Sequence, residues 1–257
     1  MTRRRAASFF TILFATFGTA FVDAGAATAA ASPACAANAA PRTIEYPWMS
    51  VARWNRMFET QAGLAAGLAE SGGVDVMFIG DSITEGWPQQ IWDASFGSLR
   101  PANFGIGGDH TGNLLWRLRD KRIAGLRPKV VVVLIGVNNF GHCSDTPAQV
   151  FAGIEAVVAT LRAHYPAARV LRNAVLPADA APRGEQRMRI VELNKMVATL
   201  ADGTHVAVRD YGALLTRPDG SISADIMPDF LHLTPAGYQI WADAMRPDIV
   251  QLLENAR

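Results

Sequence analysis

Residues 74–87 read VDVMFIGDSITEGW, and this stretch decides the fold of the chain. Four apolar residues, Val76 to Ile79, run directly into Gly80, Asp81 and Ser82, which is typical of a buried parallel strand that ends in a tight turn and opens a helix. Ligands bind at the carboxyl ends of strands in an open parallel sheet, so the turn suits a nucleophile. By itself, the turn is also what a serine that only caps a helix would produce.

The rest of the chain alternates strand and helix patterns. Residues 129–135, KVVVVLI, are nearly all β-branched, which indicates a central strand covered on both faces. Further strands are predicted at 102–104, 169–175 and 205–210, with amphipathic helices between them. Strands that alternate with right-handed crossover helices predict a doubly wound α/β sheet.

The amino terminus has a different composition. Three arginines at positions 3–5 precede an apolar run at 6–22, and small residues that suit cleavage follow up to position 31. This pattern predicts a signal peptide over residues 1–31 and a periplasmic or secreted protein. The alternative is a membrane anchor, but the run is short for a span and contains Gly18. We therefore expect no stable membrane span after processing.

Length and composition favour one domain. The chain has 257 residues, of which 50% are hydrophobic, so we predict one well-buried domain over residues 48–257, preceded by an Ala- and Pro-rich linker at 32–47. The net charge of +1 gives no indication of a nucleic-acid partner. Cys35 and Cys143 lack metal-type spacing, and whether they pair in an oxidising compartment stays open, as does the oligomeric state.

Two strand ends place further polar groups at the edge that carries Ser82. The strand at 102–104 leads into the glycine-rich stretch 105–109, and the central strand leads into Gly136 and Asn138. An asparagine there can offer its amide to the same pocket, or it can satisfy its own turn. The glycine-rich stretch does not fit a dinucleotide loop, because the third glycine of that fingerprint is missing.

The last block is DFLHLTPAG at residues 229–237. Thr234 is a good helix N-cap and Pro235 a good first helical residue, so Asp229 and His232 lie on the short loop before the closing helix. An acid three residues before a histidine can hold one ring nitrogen while the other faces a nucleophile. Alone, such a pair is also common on protein surfaces.

Together and in this order, these blocks resemble the four signatures of the SGNH (GDSL) hydrolase family. The run NFGIGGDHTGNLLWRL, followed by RPKVVVVLIGVNN, is similar to its platelet-activating-factor acetylhydrolase branch. The resemblance covers about residues 74–252 and implies a three-layer α/β/α sandwich with a five-stranded, flavodoxin-like parallel sheet. Two positions depart from the family pattern, Ile83 in place of leucine and Asn139 in place of aspartate, and neither is a triad position.

The resemblance implies a role for each matching position. Ser82 would be the nucleophile, His232 the general base and then acid, and Asp229 the residue that orients it. The backbone N–H groups of Ser82 and Gly108, with the side-chain amide of Asn138, would form the oxyanion hole. Such a site uses no metal or cofactor. The competing α/β-hydrolase elbow would need a glycine at position 84, where threonine stands.

We therefore predict an exported serine esterase that removes a small acyl group, with acetyl expected from the acetylhydrolase-like middle of the chain. Ile83, Val137 and Leu231, which adjoin the catalytic positions, are expected to line a small apolar acyl pocket. His110 and His142 are candidates for substrate contact near its mouth. Acetylated carbohydrate is one candidate substrate. The alternatives are a lysophospholipase or thioesterase of the same fold, and a non-catalytic glycan-binding module.

Overall fold

A computed structural model of the protein describes residues 35–36 and 38–256. The predicted signal peptide, residues 1–31, lies outside the described residues and stays a prediction. Across the described part of the chain, strands and helices alternate as the apolar patterns predict. None of the helices described there is both long and apolar enough to cross a membrane.

A parallel sheet forms the centre of the domain. Its strands are β1 (Val76–Gly80), β2 (Pro101–Gly105), β3 (Val130–Leu134), β4 (Arg169–Asn173) and β5 (Val206–Arg209). Their order in the sheet is β2-β1-β3-β4-β5, and every neighbouring pair is parallel. The predicted five-stranded, flavodoxin-like sheet is therefore confirmed. Because β2 and β3 lie on opposite sides of β1, a crevice opens beyond the carboxyl ends of β1 and β3.

Helices cover both faces of the sheet. They are α1 (Val51–Glu70), α2 (Ser82–Glu85), α3 (Gln89–Phe96), α4 (Thr111–Arg117), α5 (Lys121–Ala124), α6 (Val137–His142), α7 (Pro147–His164), α8 (Glu185–Val197) and α9 (Pro235–Glu254). The short helices α2 and α6 each start just beyond a strand of the sheet centre, and they carry Ser82 and Asn138.

Two hydrophobic cores lie on opposite faces of the sheet. Side chains alternate along a strand, so Met77 and Ile79 of β1 enter one core, while Val76 and Phe78 enter the other. Side chains of α1, α4, α7 and α8 complete the first core, and those of α3 and α9 complete the second. Every residue of β1 and β3 is buried, which explains why their sequences are continuously apolar. The predicted three-layer α/β/α sandwich is confirmed.

The structure corrects the prediction of a linker at residues 32–47. The described residues of this stretch pack on the domain, where Ala36 and Arg42 are buried. A disulfide also joins Cys35 to Cys143, the residue that follows α6. The Ala- and Pro-rich composition that indicates a linker thus belongs to a segment fixed on the domain surface.

We call residues 35–36 and 38–50 the N-terminal segment. Its close approach to the domain depends on two helical glycines, Gly112 in α4 and Gly153 in α7. A Cβ atom at Gly153 would lie only 2.4 Å from the carbonyl oxygen of Ala36, and a Cβ at Gly112 would meet the same segment's backbone at 2.4 Å. Small residues on both sides therefore let the segment lie directly against the helices.

Candidate active site

Ser82 is the first residue of α2, directly beyond β1. Asp81 caps this helix, since its Oδ1 accepts a hydrogen bond from the N–H of Ile83 at 3.0 Å. From α9, the hydroxyl of Tyr238 donates to the carbonyl of Ile83 at 2.8 Å. Asp81 is completely buried, and this burial raises its pKa to about 7. The turn that carries Ser82 is thus held both by its own cap and by the last helix.

A chain of hydrogen bonds links the three residues predicted to react. Ser82 Oγ lies 2.9 Å from Nε2 of His232, and Nδ1 of the same ring lies 2.6 Å from Oδ2 of Asp229. A carboxylate only accepts hydrogen bonds, so we place the proton of the neutral ring on Nδ1. The lone pair of Nε2 then faces the hydroxyl of Ser82, which is the geometry that a general base needs.

The Asp229 carboxylate is held in its charged form. Burial alone would raise its pKa, but hydrogen bonds from the ring and the backbone N–H of His232 outweigh burial, and the pKa of Asp229 lies below its ordinary value. Its Oδ1 accepts from the N–H groups of Leu231 at 3.1 Å and His232 at 2.7 Å. Both side chains are open to solvent, at 44% exposure for His232 and 54% for Asp229.

The loop between β2 and α4, residues 106–109, faces Ser82, and we call it the glycine loop. Gly108 has a φ of +72°, which favours glycine. The N–H of Gly107 donates to Glu85 Oε2 at 2.6 Å, while the N–H groups of the two outer loop residues bond to β1 and within the loop. Among the described residues, no acceptor bonds the N–H of Gly108, so this donor is left for a ligand.

Asn138 in α6 brings a side-chain amide to the same place. Its Nδ2 donates to the carbonyl of Asp109 at 2.9 Å, which uses one of its two N–H groups and leaves the other. The neighbouring Asn139 is fully buried, and its amide bonds Thr111 and Asp145 at 2.9 Å each. The asparagine that departs from the family pattern therefore fastens α4 to α6.

A cleft of about 350 Å³ opens over Ser82. It is lined by residues from both ends of the chain, which are Trp48, Met49, Arg53, Ser82, Glu85, Gly107, Gly108, Asn138, His142, Leu231 and His232. All the positions predicted for the triad and the oxyanion hole lie at this cleft except Asp229, which lies behind His232. The structure thus brings Ser82 and His232 together, although they are 150 positions apart in sequence.

Of the three residues predicted to line an acyl pocket, the structure places only Leu231 at the cleft. Ile83 and Val137 are instead core residues, with 2% and 3% exposure. Ile83 follows Ser82 in α2 and Val137 precedes Asn138 in α6, and successive helical residues point about 100° apart. A helix that presents one residue to the cleft therefore turns its sequence neighbour into the core.

The N-terminal segment and α1 contribute Trp48, Met49 and Arg53 to the cleft, which the sequence patterns did not predict. Trp48 is 47% exposed, and the space above Gly108 is so closely filled by its indole that a Cβ there would lie 2.2 Å from the ring. Tyr46 stacks on Trp48 with centroids 5.1 Å apart, and His142 lies 5.5 Å from it. The composition of the segment indicated a linker, so no local signal pointed to these contacts.

His142, a candidate for substrate contact, lines the cleft, but His110 does not. His110 lies at a separate cavity of about 120 Å³ behind the glycine loop. Burial, followed by the charge of Arg42, lowers its pKa to about 3, so the ring is neutral. Among the described residues, His110 also forms the one group of metal-ligand types, with Cys35 and Cys143, but the disulfide occupies both sulfur atoms.

A buried ion pair supports the glycine loop from below. Asp109 Oδ2 accepts from Arg117 Nε at 2.7 Å, and its Oδ1 accepts from the indole of Trp54 at 2.6 Å. Arg117 also donates to the carbonyl oxygens of Phe104 at 3.0 Å and Gly80 at 3.1 Å. Burial raises the pKa of Asp109 although Arg117 opposes this. The pair joins the carboxyl ends of β1 and β2, where the site is built.

Comparison with known proteins identifies a family. Residues 78–240 match the model of the GDSL-like Lipase/Acylhydrolase family. This range begins within β1 and ends in α9, so it contains the Ser82 turn, the glycine loop, Asn138 and the loop with Asp229 and His232.

Curated relatives and solved structures agree with this match. The chain is 38% identical over 183 residues to the platelet-activating factor acetylhydrolase IB subunit alpha2 of Gallus gallus, covering 70% of this chain and 78% of that protein. It is also 38% identical to subunit alpha1 of Bos taurus, covering 70% and 76%. A GDSL-like lipase of Bacteroides thetaiotaomicron superimposes with a TM-score of 0.63 at 22% identity, over 76% of this chain and 97% of that one; it shows the fold.

Proposed function

Because the chain belongs to the GDSL-like Lipase/Acylhydrolase family and is therefore a carboxylic ester hydrolase, we propose that it is an exported serine esterase that removes small acyl groups, acetyl above all. The observation that carries the proposed mechanism is the hydrogen-bonded series from Ser82 Oγ through His232 to Asp229, at 2.9 and 2.6 Å. This series aims a hydroxyl, activated by a base, into the cleft.

In the first half-reaction, Ser82 Oγ attacks the acyl carbonyl carbon, and His232 Nε2 takes the hydroxyl proton. The carbonyl oxygen becomes an oxyanion, which accepts hydrogen bonds from the N–H groups of Ser82 and Gly108 and from the amide of Asn138. The bond to the alcohol then breaks as His232 returns the proton to the leaving oxygen. Asp229 stabilises the imidazolium in between, because its carboxylate stays charged.

In the second half-reaction, water replaces the alcohol. His232 takes a proton from the water as its oxygen attacks the acyl carbon, and the same donors hold the second oxyanion. Collapse of this intermediate breaks the bond to Ser82 Oγ, which recovers its proton from His232. The products are the free acid and the original enzyme.

A small acyl group is supported by the size of the cleft and by the relatives. Its volume of about 350 Å³ is near the lower end of the range for ligand pockets, about 300–1,000 Å³, and it must hold both the acyl and the alcohol parts. The relatives at 38% identity are named as acetylhydrolases. Of the residues expected to form an acyl pocket, Leu231 provides an apolar side chain at the cleft.

For the alcohol part we propose a carbohydrate. Trp48 presents an indole at the wall of the cleft, and Arg53 and Glu85 add polar groups beside it. An exposed aromatic ring among hydrogen-bonding side chains suits a sugar, which has both apolar faces and hydroxyl groups. Export is supported by the disulfide between Cys35 and Cys143, because such bonds persist in oxidising compartments.

Rates with acetyl, butyryl and octanoyl p-nitrophenyl esters test the acyl group. We expect kcat/KM to fall as the acyl chain lengthens. Faster hydrolysis of the octanoyl ester would contradict the proposal and favour a lysophospholipase or thioesterase. A fluorophosphonate probe should label wild-type protein at Ser82 and leave Ser82→Ala unlabelled.

The alcohol part is tested by comparing acetylated xylan with a lysophospholipid at equal ester concentration. Release of acetate from the xylan at the higher rate supports a carbohydrate substrate. Export is tested separately by expressing the full chain and determining the amino-terminal residue of the mature protein. A mature protein that still begins at Met1 would contradict the predicted signal peptide.

A further inference from the structure

In the glycine loop, side chains form hydrogen bonds with both backbone groups of Gly107. The N–H of Gly107 donates to Glu85 Oε2 at 2.6 Å. At the other end of that residue, its carbonyl accepts from Arg42 Nη2 at 3.4 Å. Within the described loop, the Gly108 N–H is the backbone donor left over.

The peptide bond between Gly107 and Gly108 therefore has two distinct ends. Its carbonyl oxygen is bonded by the guanidinium of Arg42, and its N–H is the donor that our mechanism assigns to the oxyanion. A cation on the carbonyl side draws electron density through the amide and makes the N–H a stronger donor. It also resists rotation of the peptide plane, which would turn the N–H away.

Arg42 is unusual in how its charge is accommodated. The side chain is buried, with 4% exposure, and Nε and Nη1 have no hydrogen-bond partner in the described residues. The guanidinium carbon lies 5.2 Å from the ring centroid of Tyr46 and 5.7 Å from that of Trp48. Aromatic rings thus cover a cation that, within the described chain, makes no ion pair.

Arg42 interacts electrostatically with one carboxylate, and that carboxylate already has another partner. The carboxylate is that of Asp109, which is paired with Arg117 at 2.7 Å. Burial and the charge of Arg42 lower the pKa values of His110 and His142, so these neighbours are neutral. A buried positive charge on the carbonyl side of a peptide bond whose N–H donates to a developing oxyanion stabilises the transition state more than the ground state.

From these contacts we propose that Arg42 is a positioning residue for ester hydrolysis. It holds and polarises the Gly107–Gly108 peptide bond so that the N–H of Gly108 donates a hydrogen bond to the oxyanion. This inference rests on the proposed function and adds a residue that belongs to none of the signature blocks. The N-terminal segment delivers Arg42, and the segment is itself fastened by the Cys35–Cys143 disulfide and by a 3.1 Å hydrogen bond from Asn113 to Ala40.

The test uses Arg42→Met, which removes the charge and the donor but keeps the aliphatic stem. We expect kcat for p-nitrophenyl acetate to fall about 10- to 100-fold while KM changes little, because the lost interaction acts in the transition state. A trifluoromethyl ketone that forms an oxyanion adduct with Ser82 should bind more weakly by the same factor. Arg42→Lys, which keeps the charge, should recover part of both losses.

Arg187→Met is the matched control for the cost of losing a buried arginine. Arg187 is also buried, and it donates to the backbone carbonyls of Ala178, Asp179 and Gly220, away from the cleft. The control should lose stability without loss of kcat. If Arg42→Met does not fold, Arg42→Lys alone decides, because kcat and affinity for the ketone must still fall together below wild type.

Two results would overturn the inference. One is an Arg42→Met enzyme whose kcat matches that of Arg187→Met, and the other is a rise in KM with unchanged kcat and unchanged affinity for the ketone. Neither concerns the proposed function, which is tested separately on wild-type protein by the acyl-chain series, the acetylated xylan comparison and the fluorophosphonate probe.

Discussion

The two halves of the candidate site are built in opposite ways. Asp229 and His232 are open to solvent, and the hydrogen bonds between them join residues three positions apart. The glycine loop is buried, and the side chains that hold it come from α2, α4, α6 and the N-terminal segment. The acid–base half is therefore local and exposed, whereas the oxyanion half is assembled from distant parts of the chain.

Because of this difference, effects on the reaction and effects on the free energy of folding are expected from different residues. An exposed pair on a loop adds little to the free energy of folding, because solvent screens its charges and water replaces its hydrogen bonds. The buried loop depends on hydrogen bonds from buried side chains, so a substitution there leaves buried polar groups without partners and affects both the fold and the reaction. Substitutions in the two halves should therefore have different signatures.

The largest effect is expected for the exposed half and the nucleophile that it activates. Ser82→Ala and His232→Ala should each lower kcat by about 10⁶-fold, as the loss of a nucleophile or its base does in other serine hydrolases. The free energy of unfolding should change by only about 0.5 kcal/mol, because both side chains border the open cleft. Ester hydrolysis corrected for the uncatalysed rate and denaturant unfolding check the two parts. Activity above one hundredth of wild type in His232→Ala would require another base.

The buried half should give the opposite result. Arg117→Met leaves the Asp109 carboxylate without its ion-pair partner in a fully buried site, so the free energy of unfolding should fall by about 3–5 kcal/mol. Activity should fall with it, since Asp109 belongs to the glycine loop. Urea unfolding measures the change. The control is Arg122→Met, which removes a solvent-exposed guanidinium that pairs with Glu59 and Asp120, and it should leave the unfolding midpoint nearly unchanged.

A pH dependence tests the buried carboxylate beneath Ser82. Folded Asp81, with a pKa raised by burial to about 7, keeps a proton that the unfolded chain, with a pKa near 3.8, has lost. Stability relative to Asp81→Asn should therefore fall as pH rises from about 4 to about 7, and level off above. The upper limit is about 4 kcal/mol, from three pKa units at about 1.4 kcal/mol each.

The asparagine variant is a matched one, because its side-chain oxygen can still cap α2. Arg172 and His232 favour the charged form of Asp81, and Asp109 opposes it. Urea unfolding of both proteins at several pH values gives the difference directly. A difference that does not change between pH 4 and 7 would mean that Asp81 is ionised in the folded protein and that Arg172 compensates its burial.

The predictable parts of the molecule are those in which the signal is local. The apolar run at 76–79 and the β-branched run at 129–135 predict β1 and β3, because strands buried on both faces need continuous apolar sequence. Ser82, Asn138 and His232 each stand directly beyond a strand or before a helix with clear capping residues. Their shared edge follows from the parallel sheet, and the structure brings these side chains to one cleft.

The parts that could not be predicted depend on matching between distant segments. Ala36 lies against Gly153 because both residues are small, and neither position shows this by itself. The positions of Arg42 and Trp48 depend on that docking, so this wall of the cleft could not be predicted from the sequence. The inward orientation of Val137 likewise depends on how α6 is rotated about its axis. That Val137 adjoins Asn138 in the sequence does not specify this rotation.

The smallest predicted effect concerns the wall that the N-terminal segment adds. Trp48 is the exposed aromatic of the cleft, and the reacting groups lie elsewhere, so Trp48→Leu should raise KM for an acetylated xylo-oligosaccharide about tenfold, the value of one aromatic contact of about 1.4 kcal/mol. For p-nitrophenyl acetate, KM should change less. Trp48→Phe keeps an aromatic face and should retain most of the affinity. If Trp48→Leu instead lowers kcat equally for both esters, the indole acts on the glycine loop beneath it. Trp48 would then belong to the oxyanion half of the site and not only to the wall of the cleft.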